Sequence, residues 1–301
     1  MQAREGSGRE GQVKPSVEAI VRRAEIVRGI RAFFDGLGFV EVETPVRIAA
    51  PAPEEHIDCP PVTTGGYLRA SPELQMKKLL AAGMNRIYQI GPCFREGEKG
   101  SRHNPEFTMI EWYRRDATYL DIAEDMENLL KALRLARVSS LPSHVQIQRL
   151  RVREAYRRYA GWDPWMGEWD QDRFDFDMAT KIEPAIKSLG GGVFLMDYPP
   201  QAASLAKLSR GGDAERWEFY WDGMELANCF TELCDGEEQT RRFEKAKANR
   251  KALGESDYPI DGEFLAELPK IGRAAGVALG VDRLVMVLAG AKDIASVRAP
   301  C

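Results

Sequence analysis

Residues 217–230 restrict the fold of this chain more strongly than any other segment. Two runs rich in aromatic and apolar residues, 217–221 and 224–230, are separated by the dipeptide Asp222-Gly223. An Asp-Gly pair adopts the positive φ angles of a two-residue type I′ turn, which connects adjacent antiparallel strands. The segment therefore predicts a tight β-hairpin within an antiparallel sheet.

Helical and strand patterns alternate along the rest of the chain. After Ser16, apolar residues recur at three- and four-residue spacing as far as Gly36, which predicts a first helix. Further helices are predicted to begin near Ser71, Thr118, Asp235 and Asp282. Strands are predicted at 39–42, 87–90, 106–113, 193–196 and 276–281. Strands joined by hairpins and loops, with the helices in long blocks, indicate the α+β class, with an antiparallel β-sheet flanked by helices.

The domain organisation follows from length and local composition. A chain of 301 residues forms one large domain or two small ones. Residues 1–14 are mostly polar and rich in glycine, and we predict a disordered tail there. Residues 15–301 are predicted to be one domain. Within it, residues 140–215 are predicted to be a smaller helical insertion that ends in the strand 193–196.

Composition excludes several classes of protein. The formal net charge of −4 argues against a dedicated nucleic-acid-binding surface. The five cysteines form no C-x-x-C pair, which argues against a disulfide framework and a structural zinc site. The chain contains no apolar run of the ~18 residues needed to span a bilayer and no signal-peptide pattern at its start. We therefore expect a cytoplasmic protein without a membrane partner.

The predicted hairpin brings two carboxylates together. A two-residue turn pairs Tyr220 with Glu225 and Glu218 with Ala227, so the two glutamates are diagonal neighbours on one face. Close carboxylates repel unless a cation lies between them, and Mg²⁺ is commonly held by one or two carboxylates plus substrate phosphates. The alternative is that one glutamate pairs with a lysine elsewhere. Three more side chains fall on the opposite face unless a bulge near Ala227 returns them: Asn228, Phe230 and Glu232.

Two other segments carry unusual chemistry. Residues 95–113 are two strand ends joined by a loop of cations, acids and glycines, and alternation places Phe107, Glu111 and Tyr113 on one face. That face could bind a planar base and a cationic group, or it could be a structural hairpin whose acid is satisfied by an arginine. Residues 276–284 form a glycine-rich strand that leads into a helix with Arg283 in its first turn, an arrangement that suits a phosphate.

These segments resemble, in order, the signature motifs of class II aminoacyl-tRNA synthetases. The first motif is carried by residues 38–45, the second by Arg95, His103, Phe107 and Glu111, and the third by residues 280–283. Within this class, RHNPEFTMIEWY (102–113) and ELANCFTEL (225–233) resemble the lysyl branch. The resemblance covers residues 15–297 and implies a sheet of six or seven antiparallel strands and a homodimer that pairs near Pro45.

Two features of the chain resemble the ligases that attach (R)-β-lysine to a lysine of elongation factor P more than they resemble lysyl-tRNA synthetases. Only about fifteen residues precede the core, which leaves no room for the anticodon-binding domain of lysyl-tRNA synthetases. Ala278 also replaces a glycine of their Gly-x-Gly-x-Gly segment, which would reshape the amino-acid pocket. This resemblance implies a lysine-type amino acid and elongation factor P as substrates, and no tRNA. The alternatives are a truncated lysyl-tRNA synthetase paralogue that activates α-lysine and a non-catalytic regulator.

The resemblance also implies roles for individual residues. Arg95 would hold the ATP α-phosphate and the substrate carboxylate, Arg283 would hold the γ-phosphate, and both would be catalytic. The other implied ATP-binding residues are Glu96 or Glu98, His103, Asn104, Phe107, Glu225, Leu226 and Gly280. The implied amino-acid-binding residues are Ser71, Pro72, Glu73, Glu111, Tyr113, Asn228, Phe230, Glu232 and Ala278. The implied Mg²⁺ ligands are Glu218 and Glu225. One departure concerns the residue after Arg95, because the acid that usually contacts ATP is displaced by one position.

Overall fold

A computed structural model describes residues 15–136 and 146–299. The predicted tail at residues 1–14 and the start of the predicted insertion, residues 140–145, lie outside these described residues. Between them, the described segments contain two sheets and two layers of helices.

The main sheet has eight strands in the order β1-β4-β5-β10-β9-β8-β7-β6. Its strands are β1 (Val40–Glu41), β4 (Arg86–Phe94), β5 (Glu106–Arg115), β6 (Ile147–Arg151), β7 (Gly192–Tyr198), β8 (Ala214–Trp221), β9 (Met224–Thr231) and β10 (Ala274–Gly280). A second sheet pairs β2 (Arg47–Ile48) with β3 (Tyr67–Leu68). The six central strands of the main sheet are antiparallel, whereas the edge strands β1 and β6 run parallel to their neighbours. The expected antiparallel α+β sheet is confirmed at its centre, and the expected count of six or seven strands was too low.

Helices cover both faces of the main sheet. One face packs against three of them: α1 (Val17–Gly36), α3 (Tyr119–Leu135) and α9 (Val281–Ala289). The other face packs against α2 (Glu73–Ala81), α4 (Val152–Ala155), α5 (Gln171–Asp177), α6 (Glu183–Leu189), α7 (Gly236–Leu253) and α8 (Gly262–Glu267). None of the described helices is long and apolar enough to cross a membrane.

The first helix shows how local sequence sets the packing. The Ser16 hydroxyl accepts a hydrogen bond from the Ala19 amide at 3.0 Å and caps α1. Ile30 and Phe34, four residues apart, are completely buried in the core on that side of the sheet. The arginines on this helix suggest a solvated face, but Arg23 lies 2.5 Å from Asp282 and binds Thr108 at 2.8 Å. It therefore ties α1 to β5 and α9.

Residues 146–215 contribute the strands β6 and β7 and the start of β8 to the main sheet. The predicted strand at 193–196 lies within β7. The tryptophan-rich stretch lies among the helices α4, α5 and α6, in agreement with the helical character predicted for this segment. The sequence did not predict β6, which pairs with β7 in parallel at the edge of the sheet. The helices therefore connect two neighbouring strands of the same sheet.

Candidate active site

A cavity of about 480 Å³ lies on the face of the sheet that packs against α2. Four central strands, the start of α2 and the loops at 54–57 and 98–104 line this cavity. It gathers most of the residues singled out in the sequence: Ser71, Glu73, Arg95, Glu98, His103, Asn104, Phe107, Tyr113, Glu218, Glu225, Leu226, Asn228, Phe230, Glu232, Ala278, Gly280 and Arg283. Three others lie apart from the wall: Pro72 and Glu111 are buried beside it, and Glu96 is exposed.

A β-bulge makes the predicted hairpin residues converge. Tyr220 pairs with Glu225 as predicted, but Glu218 pairs with Asn228 and not with Ala227, so that prediction was wrong. Leu226 is the extra residue of this bulge. The bulge turns the side chains that follow it to the face opposite the one that strict alternation predicts. The bulge near Ala227 that a shared site requires is therefore present. As a result, Asn228, Phe230 and Glu232 line the same cavity as the two carboxylates.

A buried ionic cluster forms one end of the cavity. Lys77 on α2 is 1% exposed, and its Nζ lies 2.5 Å from Glu73 Oε1 and also contacts Glu232 Oε2. Glu232 is 2% exposed and lines the cavity, and its Oε1 has no hydrogen-bond partner among the described residues. An unpaired buried carboxylate oxygen is costly, so this end of the cavity favours a cationic ligand.

Glu111 lies directly behind this cluster. Its Oε1 accepts a hydrogen bond from Ser71 Oγ at 2.5 Å, and its Oε2 accepts one from Tyr113 Oη at 2.7 Å. Burial and the charge of Glu73 raise the pKa of Glu111 to about 7. Burial likewise raises the pKa of Glu232 to about 8; the Lys77 charge opposes this rise and Glu73 adds to it. The sequence-based alternative of an arginine partner for Glu111 is not seen, because a hydroxyl and a phenol satisfy this carboxylate.

Arg95 and Phe107 form the middle of the cavity. The guanidinium carbon of Arg95 lies 5.3 Å from the centre of the Phe107 ring, and Nη1 lies 3.3 Å from Glu98 Oε1. Arg95 Nε is buried without a hydrogen-bond partner among the described residues. Of the two glutamates after Arg95, Glu98 lines the cavity, whereas Glu96 is exposed and does not. The geometry thus favours Glu98 as the acid that faces a bound molecule here.

Arg283 and His103 form the other end. Arg283 donates from Nη1 to the Glu225 carbonyl at 2.9 Å, and its Nη2 lies 2.6 Å from His103 Nε2. Burial and the neighbouring Arg283 charge lower the pKa of His103. A neutral imidazole beside a guanidinium leaves the positive charge of this end on Arg283, which suits a polyanion such as a triphosphate.

Glu218 and Glu225 line the same cavity, and Glu225 adjoins Arg283. Glu218 accepts hydrogen bonds from Arg216 Nη2 at 2.5 Å and from Tyr220 Oη at 2.6 Å. Glu225 Oε2 lies 3.6 Å from Arg283 Nη1, and burial and the Glu218 charge raise the pKa of Glu225. The lysine partner considered as an alternative is not seen, because arginines lie in that place. The described residues contain no cluster of three or more metal-ligating side chains. Two neighbouring carboxylates in one cavity wall fit a divalent cation that takes its other ligands from phosphates.

The glycine-rich strand β10 forms the floor. A side chain at Gly276 would overlap the Tyr113 ring and would lie 2.9 Å from Glu232 Oε1. Ala278 pairs with Glu111 on one side and with Asn228 on the other, so its methyl group lies among the amino-acid-binding residues named above. At Gly280, by contrast, an added Cβ would meet nothing closer than 3.9 Å.

The comparison with known families agrees with this geometry. The profile of the family "tRNA synthetases class II (D, K and N)" matches residues 13–299. This chain belongs to the class II synthetase family. Similar proteins include elongation factor P–(R)-β-lysine ligases from Proteus mirabilis, at 36% identity over 95% of both chains, and from Pectobacterium atrosepticum, at 37% over 95% of both. A third, from Photorhabdus laumondii, is 36% identical over 96% of both. The chain is an ATP-dependent amino acid ligase of the class II type.

Three charged residues of this class II site were missed in the sequence: Lys77, Arg216 and Glu54. Lys77 follows Glu73 by four residues on a predicted helix, and this spacing could have indicated the pair. Arg216 precedes Glu218 by two residues on a strand, so both side chains lie on one face. Glu54 lies in a proline-rich loop, where no periodic pattern exists to indicate the direction of its side chain.

Proposed function

We propose that this chain activates (R)-β-lysine with ATP, forms the aminoacyl-adenylate and transfers the β-lysyl group to a lysine side chain of elongation factor P. The observation that carries the proposal is the buried, unpaired Oε1 of Glu232 at the wall of the cavity. The names of the relatives, at about 36% identity over nearly the whole chain, supply the identity of the two substrates.

The ionic cluster suits a substrate with two ammonium groups. Glu73, Glu111 and Glu232 supply three carboxyl groups against one cation, Lys77. Ammonium groups that replace protons on these carboxyl groups form charge-assisted hydrogen bonds, which are stronger than bonds between neutral groups. A neutral amino acid would leave Glu232 Oε1 buried without a partner, and it is therefore rejected. In our proposal, Ala278 narrows the pocket on the side of the amino-acid backbone and selects a β-amino acid.

The rest of the cavity suits ATP. Phe107 offers a flat ring for adenine, Arg95 holds the α-phosphate and the substrate carboxylate, and Arg283 holds the γ-phosphate. His103, Asn104 and Glu98 lie close to the nucleotide, and Leu226 and Gly280 contact it through the main chain. Glu218 and Glu225 would hold Mg²⁺, which neutralises charge on the phosphate oxygens when bound.

The first reaction step needs no general base from the protein. The substrate carboxylate attacks the α-phosphorus in line, the bond to the bridging oxygen breaks, and pyrophosphate leaves with the electron pair. Charge builds up on phosphate oxygens, so correct positioning and the guanidinium groups of Arg95 and Arg283 supply most of the rate acceleration. In the second step, the amine of the acceptor lysine attacks the carbonyl carbon of the adenylate.

Oligomeric state and location remain parts of the proposal. We propose a cytoplasmic homodimer that pairs through the segment around Pro45, with no tRNA substrate. We also propose a single catalytic domain over residues 15–301. Light scattering of the purified protein measures the dimer directly, and a monomeric mass at micromolar concentration would contradict it.

One assay separates the proposed function from its main alternative. ATP–pyrophosphate exchange is measured with α-lysine and with both enantiomers of β-lysine, and elongation factor P is then weighed by mass spectrometry after incubation. We expect the fastest exchange with (R)-β-lysine and a mass increase of one β-lysyl group. Exchange with α-lysine alone, together with charging of tRNA, would instead identify a lysyl-tRNA synthetase paralogue.

A further inference from the structure

A second cavity, of about 700 Å³, adjoins the first. The two cavities share wall residues, among them Glu54, Arg216 and Glu225. On its far side, the second cavity is lined by the exposed side chains of Arg241 and Lys245 on α7. It therefore provides a route from the surface of the molecule to the site of adenylate formation.

Glu54 lies where the two cavities meet. Its carboxylate has no hydrogen bond or ion pair within residues 15–136 and 146–299, although its residue is only partly exposed. The groups that face it are Glu73 and Lys77 from α2, Arg95 from the end of β4, and Arg216 from β8. A carboxylate in this place borders both the cavity proposed to hold the adenylate and the cavity that adjoins it.

The loop that carries Glu54 is held in a defined position by Arg250. This guanidinium, on α7, is 1% exposed. It donates to the carbonyl of Glu54 at 2.7 Å and to that of Ile57 at 3.2 Å, and it binds Asp58 Oδ1 at 2.6 Å. A fully buried guanidinium that bonds to three residues of one loop fixes the main chain of Glu54, which is the preorganisation that a reacting group needs.

We propose that Glu54 is a catalytic residue of the transfer step: it binds the ammonium group of the acceptor lysine as this side chain enters through the second cavity, and it removes one proton from it. The proposal rests on the proposed function, because it assigns the route and the base for the same acceptor. The acceptor ammonium meets carboxylates that are free to bind it, since Glu54 and Glu183 line this cavity without an ion pair among the described residues. Two of the arginines in the same wall are already paired, Arg216 with Glu218 and Arg241 with Glu238.

The transfer step moves two protons and exchanges one bond at the carbonyl carbon. The acceptor ammonium gives one proton to Glu54, and the neutral amine forms a bond to the carbonyl carbon of the adenylate. The bond from this carbon to the phosphate oxygen breaks, and AMP leaves with the electron pair. The nitrogen then loses a second proton to water as the amide forms, and Glu54 releases its own proton to solvent. No oxidant or further co-reactant is needed.

The surroundings of Glu54 favour this task. Burial and the charge of Glu73 raise its pKa, and the charges of Arg95, Arg216 and Lys77 oppose the rise. A carboxylate with a raised pKa is a better proton acceptor near neutral pH than an exposed one. An unmodified lysine has a pKa of about 10.4 and reaches the site almost entirely as the unreactive ammonium ion.

The test separates the two half-reactions. Full-length unaltered protein, Glu54→Gln and the control Glu244→Gln are loaded with ATP and (R)-β-lysine. Each then receives either elongation factor P or hydroxylamine, which is a neutral nucleophile near pH 7. The control is matched because Glu244 carries the same side chain, is exposed on α7 and lines neither cavity.

For Glu54→Gln we expect pyrophosphate exchange and hydroxamate formation within about threefold of the unaltered rate, and lysine transfer slower by about a hundredfold. This deficit should shrink as the pH rises toward the lysine pKa. Glu54→Asp, which keeps a carboxylate, should recover part of the transfer rate, and Glu244→Gln should behave like the unaltered protein.

Two results would overturn the assignment of Glu54. One is transfer to lysine at the unaltered rate by Glu54→Gln. The other is an equal loss of exchange, hydroxamate and lysine transfer, because it would indicate a structural role. Failure of the proposed function looks different, since no hydroxamate would then form from (R)-β-lysine even in the unaltered protein.

Discussion

At Gly276 the absence of a side chain determines the shape of the amino-acid pocket. The Tyr113 ring lies over this glycine, and its hydroxyl donates to Glu111. Glu232 Oε1 lies beside the same position. A methyl group at residue 276 would therefore displace an aromatic ring and a carboxylate that both take part in the site.

Gly276→Ala should lower the free energy of unfolding by about 1–3 kcal/mol, because it forces overpacking in a buried site. It should also raise the KM for the amino acid, since Tyr113 can no longer hold Glu111 in place. Thermal unfolding and the exchange assay measure the two effects. Gly280→Ala is the control for stability, because its Cβ would meet nothing closer than 3.9 Å. Equal melting temperatures for the two variants would contradict this prediction.

Glu225→Gln should abolish Mg²⁺-dependent exchange, with a loss of at least about a hundredfold. The change keeps the shape of the side chain but removes the charge that would bind the cation. Glu124→Gln, on an exposed part of α3, is the matched control and should leave the rate unchanged. Exchange by Glu225→Gln that titrates with Mg²⁺ like the unaltered protein would remove Glu225 from the metal site.

At the scale of elements, the hairpin shows both the reach and the limit of prediction from sequence. Its turn was predictable, and Asp222 and Gly223 have the expected positive φ angles of 46° and 75°. The bulge could be predicted only from the packing of the whole fold. Leu226 and Ala227 are consecutive, yet both pack into the same core cluster. Strict alternation forbids this, so the sheet inserts one extra residue and redirects Asn228 toward the site.

Substitution of Arg250 tests how firmly α7 holds the loop at residues 54–58. Arg250→Ala leaves the carbonyl groups of Glu54 and Ile57 without this donor and Asp58 without its ion pair, so we expect a loss of about 3 kcal/mol in the free energy of unfolding. Limited proteolysis should also cut more rapidly within this loop. Lys251→Ala, at the exposed next residue, is the control. An unchanged cleavage rate would show that other contacts hold the loop.

At the scale of the whole molecule, the sequence motifs identified the strands and helices that surround the site, but not the ionic groups that complete it. Arg95, Phe107 and Arg283 were found because each lies in a segment with strong local signals. Lys77 and Glu54 act through contacts with residues far away in the chain. Their burial and charge environment are products of the assembled fold, and the spacing of Glu73 and Lys77 indicates only the local pair. The edge strand β6 was missed for a related reason, since only its parallel partner β7 makes it a strand.

The buried acids should make the free protein less stable as the pH rises. The pKa values of Glu111 and Glu232 are raised from 4.5 to about 7 and about 8, so the folded state holds protons that the unfolded chain has released. Glu111 and Glu232 therefore make their full contribution to the free energy of unfolding below pH 4.5. This contribution is lost as the pH rises through their folded-state pKa values of about 7 and about 8. We expect the melting temperature to fall over this range.

The substrate should reverse this trend, because its ammonium groups take the place of the protons. Calorimetry at pH 7 in two buffers of different ionisation enthalpy should therefore show proton release when (R)-β-lysine binds. The double variant Glu111→Gln/Glu232→Gln should show a flatter dependence of melting temperature on pH. A melting temperature that rises between pH 5 and pH 8 in the unaltered protein would contradict the proposed protonation states.

The position of β10 has a consequence for how the protein is made. This strand lies between β5 and β9 in the sheet, but it is synthesised after every other described strand. Arg95 and Phe107 stand on one side of it, and Glu218 and Glu225 stand on the other. A nascent chain that ends before residue 274 therefore contains both groups of residues but cannot bring them together. During translation the chain thus stays inactive until β10 has been made, and catalytic competence should arise in one step and not gradually.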